Sequence, residues 1–438
     1  MPLPARYQIA VPGVVEIWEP AGYFKAQMGI WKAICEASSE LNGQPTSEEL
    51  TQIKNALTLT PEEVTELSAP TGHETNKLLR KIQSKLSDNV GNYIHRGNTS
   101  SDVLDTSIAL QSIESLKLIE SGLSELKKSL IDLAIKHKNT LQIARTHGQH
   151  AVPQTFGRQV LGWAEGINRS IERTKRAQEV IAYGKLSGEV GTNVFITPDL
   201  EVLALEKLGL KTDSAPTQVI GRDRHLEMLY LMTVNARWLG KIANDLRMLC
   251  MTDIGEVREP FEEEKQGSSA MPHKRNPDGL ERVLGLTRIV AGASEAESES
   301  VELLFERDIS HSSVERFSLP DSFGALLYAT QITKKIIDGL EVFPDKMMEN
   351  LQRTFGSIYS SRLLNTLLDK NAYSRTEGYD IVKNLAQKAI DSKTHLLDLA
   401  KNDSRITAHF QDGELEEQFD PAFYLQNIDV AFKRAGVL

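Results

Sequence analysis

The apolar residues Leu116, Ile119, Leu123, Leu126, Leu130 and Leu133 recur in steps of three and four. That spacing draws a heptad-like seam along one helix from Asp102 to Lys138, roughly 50 Å long at about 1.5 Å per residue. Four further stretches carry helical periodicity. One runs from Phe156 to Tyr183 through Val160, Trp163, Ile167 and Ile171, and another from His225 to Asp253 through Met232, Leu239 and Leu246. A fourth helix is predicted from Asp278 to about Glu297 and a fifth from Phe317 to about Leu340. Helices this long bury their seams against one another, so the pattern predicts a bundle, and the apolar stripes read as core rather than as ligand sites. Monomeric domains rarely need such lengths, and exposed seams predict subunit association.

The flanks differ from this centre. Residues 1–98 read as a small domain of short helices, 99–345 as the long-helix bundle, and 346–438 as a second small helical domain. Within the first, residues 1–15 are predicted extended because Pro2, Pro4 and Pro12 oppose a helix. A helix follows from about Val15 to Leu41. Pro45-Thr46-Ser47-Glu48-Glu49 and Thr60-Pro61-Glu62-Glu63 are helix-start signals, each a capping hydroxyl followed by early acids. Strand-like alternation is absent over any length, which predicts an all-α chain with at most a short hairpin near Gly184–Thr197.

Composition narrows the function classes. The chain has 438 residues, 40% hydrophobic and 25% charged, as expected of a globular protein with two or three domains. No apolar run approaches the ~18 residues that span a bilayer. The N-terminal Met-Pro-Leu-Pro-Ala-Arg-Tyr lacks the pattern of a signal peptide. Two cysteines, Cys35 and Cys250, imply no disulfide framework and suit a reducing cytoplasm. A net charge of −10 argues against nucleic-acid binding. An anionic ligand would therefore need a local cluster of cations.

Such clusters stand at the ends of the long helices. Gln266 to Pro277 reads Gln-Gly-Ser-Ser-Ala-Met-Pro-His-Lys-Arg-Asn-Pro, a proline-punctuated loop with two hydroxyls and up to three positive charges. Asp278 can cap the helix after it, with Glu281 in the first turn. A cationic loop ending at a helix N-terminus suits closure over an anionic substrate. Ile94-His95-Arg96-Gly97-Asn98-Thr99-Ser100-Ser101-Asp102 precedes the first long helix, and its hydroxyls can cap that helix or hold an anion. Ala144-Arg145-Thr146-His147-Gly148-Gln149-His150 precedes the second. His147 and His150 have no thiol or acid at zinc-like spacing, so an imidazole there is a candidate acid or base rather than a metal ligand. Segments 217–225 and 306–316 complete the set. One polar cluster means little. Five with the same placement suggest one or two composite sites.

Gly267-Ser268-Ser269-x-Met271-Pro272-x-Lys274-x-Asn276-Pro277 resembles the signature loop of the fumarase/aspartase superfamily, and Thr146-His147-Gly148 and Thr99-Ser100 resemble its two other shared motifs. Arg6-Tyr7, His73-Glu74, Glu281-Arg282 and Arg307…Ser312…Arg316 are similar to the adenylosuccinate lyase family within it, as is the C-terminal Phe419-Asp420…Tyr424-Leu425…Asn427…Asp429. The likeness covers essentially the whole chain. It implies a cytoplasmic homotetramer whose active sites are shared between subunits. It also implies β-elimination of fumarate from adenylosuccinate to give AMP, and from the succinylated aminoimidazole carboxamide ribotide. By this correspondence Ser268 is the general base and His147 the general acid. Lys274 and Asn276 hold the carboxylate whose charge grows. Arg6, Tyr7, His73, Arg307, Ser312 and Arg316 surround the nucleotide or its phosphate, with Glu74 beside His73. Thr99, Ser100, Thr146 and Gln218 contact the succinyl part, and His95, Glu281 and Arg282 support the site.

The chemistry agrees with that resemblance. The abstracted proton is weakly acidic, so the carbanion-like intermediate needs preplaced donors and cations. Serine needs positive charge and exclusion of water to act as a base. No metal or redox cofactor is required. Arg96, Asn98 and Glu189 depart from the usual family pattern, and Arg96 and Glu189 could pair or reshape the pocket rim. Two other readings stay open: a relative acting on another dicarboxylate, such as a carboxymuconate cycloisomerase, and a catalytically silent structural homologue like some lens crystallins. Arg6-Tyr7 and the C-terminal pattern favour a phosphate-bearing nucleotide. A scaffold without a ligand predicts no anion-dependent stabilisation.

Overall fold

The computed structural model describes residues 3–70, 72–260, 271 and 273–438. Among them the chain is all-α apart from three two-stranded pairings. The N-terminal stretch, predicted extended, forms α1 (Ala5–Gln8) and α2 (Pro12–Trp18). Pro4 stands at the N-cap of α1 and Pro12 at the first position of α2, where a missing N–H costs nothing. The single helix predicted from Val15 is broken at Glu19, which is extended (φ −76°, ψ 164°) before Pro20 opens α3 (Pro20–Asn42). Helices α4 (Ser47–Ala56) and α5 (Pro61–Leu67) begin where their sequence signals lie, with complete capping boxes between Thr46 and Glu49 and between Thr60 and Glu63. Short α6 (Glu74–Gln83) and α7 (Asp88–Gly91) follow.

The long helices come next. Helix α8 spans Ser100–Lys136. Strands β1 (Leu141–Thr146) and β2 (Gln149–Thr155) form an antiparallel hairpin before α9 (Phe156–Ile181). This hairpin was not predicted, and the one predicted near Gly184–Thr197 is absent. There, β3 (Tyr183–Gly184) pairs in parallel with β4 (Lys211–Thr212) across α10 (Pro198–Lys207). The β1–β2 signal was hidden because Pro153 lies inside β2 and Arg and His residues break the apolar alternation. The turn is the two-residue His147–Gly148, both with positive φ (53° and 77°), as a hairpin matching the right-handed strand twist requires.

Helix α11 spans Asp223–Cys250, β5 is Val257–Arg258, and α12 spans Asp278–Ser298. Helix α13 (Ser310–Asp338) starts well before Phe317 and carries Pro320 within it. The Asp308 carboxylate accepts the amides of Leu304 and Ser310 (2.9 and 2.8 Å) and starts the helix early, so the 310–316 cluster forms its first turns rather than a preceding loop. Strand β6 (Glu341–Val342) pairs antiparallel with β5. Helices α14 (Pro344–Gln352), α15 (Ser360–Asp369), α16 (Arg375–Ser392) and α17 (Leu396–Lys401) and shorter turns finish the chain.

The contacts gather into two compact units. The first comprises residues 1–125, 167–241 and 281–333, with a core of Phe24, Trp31, Ile53, Leu78, Val103 and Leu205. The second comprises residues 126–166, 242–280 and 334–438, with a core of Ile143, Leu351, Leu363, Leu385 and Leu396. The seam residues Leu116, Ile119, Leu123, Leu126 and Leu130 are fully buried, as the spacing predicts. Among the described residues no helix is long and apolar enough to cross a membrane.

Candidate active site

In the first unit a cavity of about 290 Å³ lies between α3, α8 and the start of α13, lined by Trp18, Tyr23, Asp105, His311 and Glu315 among others. Four residues singled out in the sequence also line it: Glu74, Arg307, Ser312 and Arg316. Arg316 pairs with Glu74 at 3.5 Å, and Arg307 donates to the Gln218 side chain at 3.1 Å. The mouth therefore offers two guanidiniums and a hydroxyl, one of the cations partly balanced by an acid.

The floor of this cavity is a buried ionic network that motif reading did not reveal. Arg222, on the turn into α11, forks onto both oxygens of Asp105 of α8 (2.8 and 2.9 Å) and pairs with Glu315 of α13 at 2.7 Å. Asp105 also accepts the Ile220 amide at 2.8 Å. Burial alone raises the Asp105 carboxyl, but the Arg222 charge and hydrogen bonds overcome that and hold it at about 2. His311 Nδ1 lies 3.0 Å from Glu315 and 3.1 Å from Arg222. The network joins the segment carrying Gln218 to the turn carrying Ser312 and Arg316. Its sequence signal was present in Gly221-Arg222 and His311…Glu315, but nothing in the spacing tells a buried pair from a solvated one.

The remaining first-unit residues form smaller groups. Tyr7 packs against Tyr328 with ring centroids 5.3 Å apart, Arg6 lies 5.7 Å from the Tyr7 ring, and Arg282 reaches the Tyr328 hydroxyl at 3.4 Å. These residues do not line the cavity. Exposed Glu281 sits beside Arg282 in α12. His73, exposed, stands at the N-cap of α6 without a side-chain cap bond. His95 has positive φ (63°), and the Trp31 indole N–H donates to its Nδ1 at 3.2 Å, which leaves the neutral ring's proton on Nε2. Burial first, then the charge of His73, pushes its pKa below the ordinary value.

Thr99 and Ser100, both half-buried, stand at the start of α8. The Thr99 amide donates to Asp102 at 2.8 Å, and Asp102 is paired with fully buried Lys185. Arg96 and Glu189 are both exposed, and no ion pair joins them among the described residues.

In the second unit Thr146 and His147 occupy the exposed tip of the β1–β2 hairpin. Fully buried Glu256 anchors it, accepting from Arg145 (2.5 Å), Gln142 (2.8 Å) and Asn350 (2.8 Å). Glu256 was not singled out in the sequence. Beside the tip, burial followed by the Arg145 charge lowers the pKa of His150. Exposed Lys274 and half-buried Asn276 lie just before α12, where the Lys274 amide donates to the Met271 carbonyl at 3.0 Å. Ser268, the expected base, lies outside the described residues, as do the rest of 266–270 and Pro272. The first turn of α12 holds an acid that was not singled out in the sequence, Glu259. Its carboxylate accepts the amides of Gly279 (2.9 Å) and Leu280 (3.3 Å). Among the described residues no group of three or more His, Cys, Asp or Glu could hold a metal ion.

Comparison with known proteins adds an independent line. A family model described as "Lyase" matches residues 5–292, and one described as "Adenylosuccinate lyase C-terminus" matches residues 356–435. Proteins named adenylosuccinate lyase are similar along nearly the whole chain. That of Aquifex aeolicus is 38% identical over 96% of both chains, that of Synechocystis 37% over 99% of both, and that of Thermotoga maritima 36% over 96% of both. Among solved structures, a 3-carboxy-cis,cis-muconate lactonizing enzyme from Pseudomonas putida superposes with a TM-score of 0.85 at 26% identity, covering 97% of this chain and 96% of the other. A fumarate lyase from Mesorhizobium superposes with a TM-score of 0.86 at 25% identity, covering 96% of each chain. On the length and level of these matches, the chain belongs to the adenylosuccinate lyase family of the fumarase/aspartase superfamily.

Proposed function

We propose that this chain is a carbon–nitrogen lyase that releases fumarate from adenylosuccinate to give AMP, and from the succinylated aminoimidazole carboxamide ribotide, in purine nucleotide synthesis. The observation that carries the reading is near-full-length identity of 36–38% to proteins named adenylosuccinate lyase. The muconate-type relatives share the fold at lower identity, 22–26%, which makes dicarboxylate cycloisomerisation the weaker reading.

In this proposal Ser268 takes the proton next to a succinyl carboxylate, and His147 protonates the departing nitrogen. An imidazole can deliver that proton, and His147 is exposed at the hairpin tip, where it can meet a substrate. Lys274 and Asn276 meet the charge that grows on the carboxylate. Arg307, Ser312 and Arg316 take the phosphate-bearing end, with Arg6, Tyr7 and His73. Thr99, Ser100, Thr146 and Gln218 position the succinyl part, while Glu74, His95, Glu281 and Arg282 support the site. The three-domain division at residues 98 and 345 belongs to the same reading.

We further propose a cytoplasmic homotetramer with active sites assembled from several subunits. Exposed apolar side chains on the long helices support association: Tyr230, Val234, Met248, Ile289 and Phe317 are each 45–63% exposed. Following fumarate release from adenylosuccinate by wild type, Ser268→Ala and His147→Ala tests the reading, and sedimentation tests the assembly. A folded wild type that releases no fumarate rejects the proposed substrate.

A further inference from the structure

The segment bearing Lys274 and Asn276 enters α12, and residues 257–260 of the same unit are pinned from two sides. Val257 and Arg258 pair in the β5–β6 ladder with Val342 and Glu341, and Arg258 forms an ion pair with Glu341 at 2.7 Å. Pro260 lies against Gly339, where an added Cβ would come within 2.8 Å of the proline ring. Glu259 then reaches from this fixed edge to the first turn of α12, accepting the amides of Gly279 and Leu280. Those amides have no partner inside the helix, and a carboxylate there also meets the positive end of the helix dipole. Position 279 fits the contact closely: a Cβ on Gly279 would stand 2.4 Å from Glu259 Oε1 and 2.9 Å from Ile336 Cδ1.

We infer that Glu259 is a positioning residue, whose carboxylate clasps the start of α12 and so sets the approach of the Lys274–Asn276 segment. The inference rests on the proposed lyase reaction, in which that segment meets the developing charge. It has a second consequence. Protein already takes the Gly279 and Leu280 amides, so the substrate carboxylate depends on the side chains of Lys274 and Asn276 rather than on those two donors.

Four variants test the clasp: Glu259→Ala, Glu259→Gln, Gly279→Ala, and Glu259→Ala combined with Gly279→Ala. With adenylosuccinate as substrate, Glu259→Ala should lower kcat by about 10- to 100-fold, the scale of a misplaced catalytic segment, with a smaller change in KM. Formate at matched ionic strength should restore part of that loss by occupying the vacated position. It should not help Gly279→Ala, where the new methyl blocks the position. The double variant should fall no further than the worse single variant, because both break the same contact. Glu259→Gln keeps one acceptor oxygen and should be intermediate; it carries the test if the alanine variant does not fold.

Amide hydrogen exchange reads the clasp without substrate. Gly279 and Leu280 should exchange at least about tenfold faster in Glu259→Ala than in wild type, and formate should slow them again. Wild-type kcat in folded Glu259→Ala, additive losses without formate rescue, or unchanged exchange would each overturn the inference. Absence of fumarate from the wild type would instead overturn the lyase reading, and the exchange result would still decide the clasp.

Discussion

The carboxylate of Glu256 lies 2.5 Å from the guanidinium of Arg145, fully buried beneath the hairpin that carries His147 at its tip. Gln142 and Asn350 complete its coordination. Glu256→Ala leaves a guanidinium and two amides without their acceptor. It should cost about 3–5 kcal/mol, the scale for breaking a buried pair by removing one partner. Urea denaturation checks this; a loss below about 1 kcal/mol would show that the anchor is dispensable.

The hairpin tip makes a separate demand. Gly148 has φ 77° with open space around it, so Gly148→Ala meets strain without a clash. The expected cost is about 1–2 kcal/mol for forcing a non-glycine residue into the left-handed region. A fall in kcat larger than that of a surface alanine control would link the turn's geometry to the reaction. His147→Gln, which keeps size but cannot deliver a proton, should lower kcat by about 10²- to 10⁴-fold with a circular dichroism spectrum like the wild type's.

Two buried groups in the first unit give stability opposite pH slopes. Burial first, then the Arg222 charge, lowers His225 from 6.5 to about 4. Between those values the unfolded chain takes up a proton that the folded chain refuses, so this group's contribution is lost as pH falls through that window. Glu297 is raised from 4.5 to about 7 by burial, then by the Glu315 charge. Above about pH 4.5 the unfolded carboxyl ionises while the folded one stays protonated until about pH 7, so stability falls as pH rises between them. Urea midpoints from pH 4 to 8 should show a flatter acid limb for His225→Gln. Glu297→Gln should gain about 1–3 kcal/mol at pH 8 and nothing near pH 4.

The bundle was legible because long helices write their packing into the sequence every three or four residues, and the seam from Leu116 to Leu133 is buried as that spacing requires. The capping boxes at Thr46 and Thr60 were equally plain, since their hydrogen bonds are local. What escaped was decided by distant partners. The β1–β2 hairpin depends on Glu256, far along the chain, and on a proline tolerated within a strand. The first-turn amide of Gly279 in α12 is taken by Glu259, twenty residues earlier in the chain, which no local pattern near Asp278 announces. At the cavity, Arg307, Ser312 and Arg316 follow a motif, whereas the Arg222–Asp105–Glu315 network beneath them joins three separate elements, and its charges read locally like solvated ones.

That cavity yields a prediction on binding. Arg307 lines it and is held by Gln218. If its guanidinium meets the phosphate-bearing end, Arg307→Gln should raise KM about tenfold or more with a smaller effect on kcat, as loss of uniform binding does. Equal losses in kcat and kcat/KM for Arg307→Gln would place the residue at the reacting end instead.

Purified protein mixed with adenylosuccinate should produce fumarate and AMP in equal amounts, while folded Ser268→Ala and His147→Ala produce almost none. A folded, tetrameric wild type that releases neither product would rule out adenylosuccinate as the substrate.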